Sequence, residues 1–277
     1  MIILSLAVSP IGNALSNISI HELFFYDVDA DEEGKEVSMK ASISTLIGLI
    51  GPLIGGIIAD VDFNTLFLIG GLTFLVAGIP LLNMKKPKRT KTKNLLKKIV
   101  SKLKINERVK SLTGYAISKE IDKTIWPIFL LLIVGTTTKI GITMTLAAVV
   151  SLVITYFLGI LLDDEGNTYY TVLNYLYTAS YIARIFSFNQ VTATVTEAFK
   201  KIAYKPLYIA WDTEMVKYGE TQEVFPYIVS REIIYNLARS IIVPFFILIY
   251  YLTNSLHLLL LLGGGFRILF KRFKASS

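Results

Sequence analysis

The sequence predicts an all-α polytopic membrane protein, a helical bundle of about nine transmembrane helices arranged as three spans, a basic linker and six further spans. Three observations carry this expectation. Hydrophobic residues make up 53% of the 277-residue chain and the mean hydropathy is +0.57, too apolar for a soluble chain of this length. Apolar stretches approaching the roughly 20 residues that cross a bilayer recur along the chain. Basic residues, by contrast, are concentrated: 12 of the 28 Lys and Arg lie between Lys85 and Lys110, against the single acid Glu107, and the tail adds Arg267, Lys271, Arg272 and Lys274. This is the positive-inside pattern, which puts the linker and the C-terminus on the cytoplasmic side of a cell membrane.

The spans follow in order. The first covers 2–25, beginning apolar without the positive n-region of a signal peptide. The second and third, 42–59 and 64–82, are separated only by the turn Asp60-Val61-Asp62-Phe63. Residues 1–84 thus form a partial N-terminal half, and 85–110 the cytoplasmic linker. Its later part, 95–109, carries Leu95, Leu96, Ile99, Val100 and Leu103 near helical spacing and predicts an amphipathic interfacial helix. Residues 111–277 form a six-helix C-terminal half, with spans at 112–134, 140–162, 169–186, 191–215, 224–250 and 256–270. A break is expected at Gly135-Thr136-Thr137-Thr138, and another at Gly263-Gly264-Gly265 in the short last span. Six spans after the linker return the basic tail to the cytoplasm, as the charge pattern requires.

Several function classes lose their footing at once. Without cysteine there is no disulfide, thiol nucleophile or Cys metal site. No Gly-Lys-Ser/Thr phosphate loop, metal-ligand spacing or nucleophile elbow occurs. No basic helix with interleaved aromatics occurs either, so the formal charge of +7 points to membrane topology and not to nucleic acid. The expectation is a protein that is not an enzyme and uses no cofactor or metal. Its partners are the lipid bilayer, a small-molecule solute and protons.

Charges inside apolar spans mark the candidate site, because such groups are costly toward lipid and face the bundle interior or water. In the fourth span Lys119, Glu120, Asp122 and Lys123 lie three and four apart. They form either a self-neutralising interfacial cluster or a working site in which Glu120 is the proton-handling candidate. In the seventh span Glu197 and Lys201 are four apart, in the favourable order for pairing. In the eighth, Arg231, Tyr235 and Arg239 share one face, with Glu232 and Asn236 beside it. Arg239 is the leading substrate or gate residue, and it needs a partner such as Glu120, Glu197 or Asp212. Asp212, Trp211 and Glu214 are expected at the inner interface, and His21 and Glu22 are weaker candidates for proton handling. Gly48, Gly51, Gly55 and Ala59 fall at helical spacings and predict a small-residue stripe for close packing, with Pro52 bending the helix. That stripe is either ordinary packing or a hinge between halves.

Three features resemble the major facilitator superfamily. Gly51-Pro52-Leu53-Ile54-Gly55-Gly56 is similar to that family's Gly-Pro-x-x-Gly-Gly signature, typical of proton-coupled drug antiporters. The family's further glycine, four residues before Gly51, is here Ile47, with Gly48 next. The turn from Gly159 through Asp163 to Gly166 and Asn167 resembles a degenerate copy of the family's Gly-x-x-x-Asp-Arg-x-Gly loop, with Asp164 in place of Arg. The basic link between halves is the third feature. The faint repeat of Gly34-Lys35-Glu36-Val37 by Gly219-Glu220-Thr221-Gln222-Glu223-Val224 fits nested three-span units. The resemblance implies a secondary active transporter of a small solute working by alternating access, with proton-coupled efflux as its variant and with the first three helices of the family missing. The other expectation is a truncated or accessory membrane protein without its own transport cycle.

Overall fold

The structure is a computed structural model describing residues 16–22, 33–82, 94–161, 166–220 and 223–267. Every regular element among the described residues is helical: α1 (16–22), α2 (Glu33–Val61), α3 (Phe63–Leu82), α4 (Leu95–Lys102), α5 (Glu107–Glu120), α6 (Trp126–Val134), α7 (Thr137–Leu161), α8 (Gly166–Ile185), α9 (Gln190–Glu220), α10 (Val224–Thr253) and α11 (Leu256–Arg267). A π-helical turn, Ile121–Ile125, joins α5 to α6 without a break. Four helices contain stretches long and apolar enough to cross a membrane: Ser42–Val61, Phe63–Pro80, Thr137–Ile154 and Val224–Thr253. The polytopic membrane class expected from composition therefore holds at this coarser level. The α5–α6 rod and α9 carry interior charges, and α11 is short, so apolarity alone does not mark them as spans.

The bundle is organised around α9, which packs against α7, α8 and α2, while α5 packs against α10 and α11. The shared core is built from Leu112, Ile121, Trp126, Tyr181, Leu207 and Trp211, all buried. Outward, the surface stays apolar: Ile47, Phe67, Phe74 and Leu75 are each more than 60% exposed. Such a surface is stable only against lipid or another apolar partner.

Local chemistry moved three expected boundaries. The interfacial helix ends at Lys102, and α5 begins at Glu107 because the Asn106 side chain accepts from the Val109 amide at 2.9 Å. The linker residue Arg108 then turns inward, buried over the rings of Tyr218 and Tyr227 at 5.4 and 5.5 Å. Gly135, at φ 82°, ends α6 as expected. Gly263 and Gly264 do not interrupt α11, and they let it close on Ile121 and Tyr181.

The glycine stripe is displaced by one residue. Gly48 and Gly51 have open space where a Cβ would lie, and Gly55 would meet only Leu66 at 3.9 Å. The face that meets α7 is Leu49, Pro52, Gly56 and Asp60. A Cβ on Gly56 would lie 2.5 Å from the Thr137 carbonyl oxygen, and one on Gly141 would strike the Pro52 carbonyl. Thr145 donates to the Leu49 carbonyl at 2.7 Å and Thr137 to the Gly56 carbonyl at 2.9 Å. Asp60 accepts from the amides of Thr137 and Thr138, both at 2.9 Å, and so caps α7. Spacing of small residues predicted the register of Gly48, Gly51, Gly55 and Ala59; carbonyls and hydroxyls set the contact one residue on. Pro52 sits inside an unbroken α2, and Gly159 and Gly166 lie in the helical backbone of α7 and α8. Asp163, the basic residues 85–93 and the tail 268–277 lie outside the described residues.

Candidate functional site

The π-helical turn begins half-way along the α5–α6 rod, about 21 Å from its start at 1.5 Å per residue. The cluster from Lys119 to Lys123 is therefore central in the rod, whose helix starts five residues before the expected residue 112. Lys205 is likewise half-way along α9 and Arg239 half-way along α10. Charged side chains of three helices thus converge at one level. π turns inside α-helices recur at working sites, where the extra residue re-aims neighbouring side chains.

The fourth-span charges do not pair with one another. Arg184, fully buried on α8, donates to Asp122 at 2.6 Å and to Glu197 at 2.5 Å, with its guanidinium over Trp126 at 4.2 Å. Lys200 reaches the other Asp122 oxygen at 2.9 Å, and Tyr177 donates to the same oxygen at 3.0 Å. Glu197 also faces Lys201 at 3.8 Å, the pairing expected from their spacing, while the Lys201 ammonium donates to the Met144 carbonyl at 2.7 Å. Two carboxylates and three cations thereby pin the π turn, α8 and α9 together. Buried ion pairs of this kind hold geometry more than they add stability, because desolvation offsets most of their attraction.

Beside this network lies a half-buried cluster of aromatic rings. Tyr115 stacks on Trp211 at 4.6 Å and on Tyr208 at 6.0 Å, and Tyr208 stacks on Tyr204 at 5.7 Å. Lys119 stands among them, 3.2 Å from the Tyr115 hydroxyl and 3.5 Å from that of Tyr204, and over all three tyrosine rings at 5.5 to 5.9 Å. Arg239 finds one of its three expected partners, Glu120, at 3.5 Å. Glu120 accepts from Thr124 at 2.9 Å and borders a separate apolar groove of about 260 Å3 between α10, α11 and the π turn.

The remaining eighth-span candidates form another group. Arg231 is buried and meets His21 of α1 at 2.6 Å, with its guanidinium over Tyr235 at 5.8 Å. Glu232 accepts from Asn17 at 3.5 Å, and the Asn236 amide donates to the Glu232 carbonyl of its own helix. Trp211 and Asp212 are buried, Trp211 donating to Ser111 at 2.9 Å and Asp212 accepting from Tyr208 at 3.1 Å. Both belong to the packed interior of the bundle.

No family model matches the chain, and no curated protein or solved structure matches it. The site is therefore read from its own geometry. Among the described residues no group of His, Asp and Glu could hold a metal ion. Arg184, Lys205 and the tyrosine wall escaped the sequence reading. The signal that could have found them is a shared spacing: Tyr177, Tyr181 and Arg184 fall four and three apart, as do Tyr204, Tyr208 and Trp211.

Proposed function

We propose that this chain is a carrier, and not an enzyme, that moves a small solute through the middle of the bundle by alternating access. In this reading its nine helices follow the major-facilitator-like arrangement that its motifs resemble, with the basic linker and the C-terminus cytoplasmic. One observation carries it: Lys119, Glu120 and Arg239 remain partly exposed half-way along helices of an outwardly apolar bundle. Ionisable groups at that depth serve a water-filled path or a bound solute. Glu120 is then the proton carrier, since protonation removes the charge that holds Arg239. Coupled efflux follows if Arg239 is released to the solute path in the same step.

The test is reconstitution in proteoliposomes with an imposed proton gradient. The reading expects solute flux to fall in Arg239→Ala, and Glu120→Gln to keep solute exchange while losing the response to the gradient. Wild-type behaviour of both variants would sink the assignment. A second reading, an accessory subunit, has one observation in its favour: no residue of the α3 stretch Phe63–Pro80 is buried, leaving a whole helix surface open to a partner helix. Flux by the purified chain alone decides against it.

A further inference from the structure

We propose that the solute of this carrier is an organic anion bearing an aromatic ring, its charge held between Lys119 and Lys205 and its ring laid against Tyr115, Tyr204 and Tyr208. The inference rests on the transport reading and adds a substrate class to it. It begins from charge balance. Arg184, Lys200 and Lys201 are answered by Asp122 and Glu197, and Arg239 by Glu120. Lys119 and Lys205 have no carboxylate at ion-pair distance among the described residues. Lys119 touches only phenolic hydroxyls and ring faces. Lys205 is half-buried and follows Tyr204 half-way along α9. Lys119 and Lys205 are thus left without a carboxylate partner half-way along their helices, where uncompensated charge is costly and a counter-charge correspondingly stabilising.

The walls define the rest of the ligand. Tyr115, Tyr204 and Tyr208 are half-buried, so part of each side chain remains accessible beside Lys119. Aromatic pairs gain from offset stacking beyond their buried area, and a phenolic hydroxyl of the Tyr115–Tyr204 pair can donate to a carboxylate or phosphate, that of Tyr208 being held by Asp212. A cationic ring compound would find the same walls but meet Lys119, Lys200, Lys205 and Arg239. A lipid headgroup has the right charge but the wrong depth, because Lys119 lies about 18 Å from the start of its rod.

The full chain in nanodiscs of phosphatidylcholine provides the test, read by tryptophan emission, since Trp211 stacks on Tyr115. Benzoate and phenyl phosphate are expected to give saturable responses, acetate a several-fold weaker one, and benzylamine none. Lys119→Gln and Lys205→Gln should each weaken benzoate roughly tenfold, the loss of one charge-assisted hydrogen bond. Lys119→Arg should restore binding, and Lys139→Gln, on an exposed residue, should leave it unchanged. The proposal is overturned if benzylamine binds as well as benzoate, if both glutamine variants bind benzoate normally, or if neither aromatic anion gives a saturable response. The charge comparison on the unmodified protein needs no variant to fold. Loss of the benzoate response on adding phosphatidylglycerol would make the occupant a headgroup and overturn the solute assignment. Saturable phenyl phosphate binding without flux would keep the anion site and overturn transport; flux of benzylamine alone would keep transport and overturn the anion class.

Discussion

Arg184→Met is the most informative perturbation of this bundle. The native guanidinium is fully buried, bridges Asp122 at 2.6 Å and Glu197 at 2.5 Å, and covers Trp126 at 4.2 Å. Removing one member of a buried ion network leaves its partners desolvated and uncompensated, at about 3–5 kcal/mol. Asp122 retains Lys200 at 2.9 Å, whereas Glu197 retains only Lys201 at 3.8 Å. The loss therefore falls near the low end, about 3 kcal/mol, and centres on Glu197. At roughly 2–4 °C per kcal/mol for a chain of this size, Tm should drop by about 6–12 °C. Thermal unfolding in detergent, followed by tryptophan emission, measures it directly because Trp126 lies under the substituted group. Adding Glu197→Gln to Arg184→Met should recover about half of the loss, since a neutral amide replaces the stranded charge. A single-variant drop below about 2 °C would refute the reasoning. So would a double variant no more stable than the single one.

Other expectations test separate parts of the fold. Gly141→Ala should cost about 1–3 kcal/mol by forcing apart the α2–α7 crossing, while Gly51→Ala, with open space at its Cβ, should be neutral or slightly stabilising; equal Tm values for the two would refute the observed register. Asp62 accepts from the Thr65 hydroxyl at 2.6 Å and from the Thr65 and Asn64 amides at 2.8 and 3.1 Å, which holds its carboxyl below its ordinary value of 3.8. A lowered carboxyl contributes stability above its ordinary pKa and loses it as pH falls through the lowered one. The Tm gap between the wild type and Asp62→Ala should accordingly be constant near neutrality and close only in acid below that ordinary value, as a pH series of melting curves will show.

Sequence reasoning reached the parts of this fold that depend on composition and local spacing. The apolar stretches of α2, α3, α7 and α10 follow from hydropathy, and the Glu197–Lys201 pairing from four-residue spacing. The start of α5 was hidden because Glu107-Arg108-Val109-Lys110 has the composition of the linker, and only the Asn106 cap and the burial of Arg108 place it in the bundle. The expected start at 112 accordingly put Lys119 and Asp122 nearer the beginning of their helix than they lie. Arg184 was missed for a different reason: it closes a helix just before the turn at Phe186 and Ser187, the usual place of an interfacial arginine, and its partner Asp122 is 62 residues away. Contacts of that range are set by how the π turn, α8 and α9 meet, which no local pattern encodes.

The Asp60 cap on α7 has a consequence for dissecting the molecule. Charge divides the chain at the linker, yet the amides that begin α7 are satisfied by a carboxylate from before it, and Gly141 is shaped to the α2 backbone. A fragment beginning at residue 111 would expose two helix-start amides and a backbone groove that only α2 fits. Separately expressed halves should therefore be cut before α2, so that this helix travels with the half it supports in space.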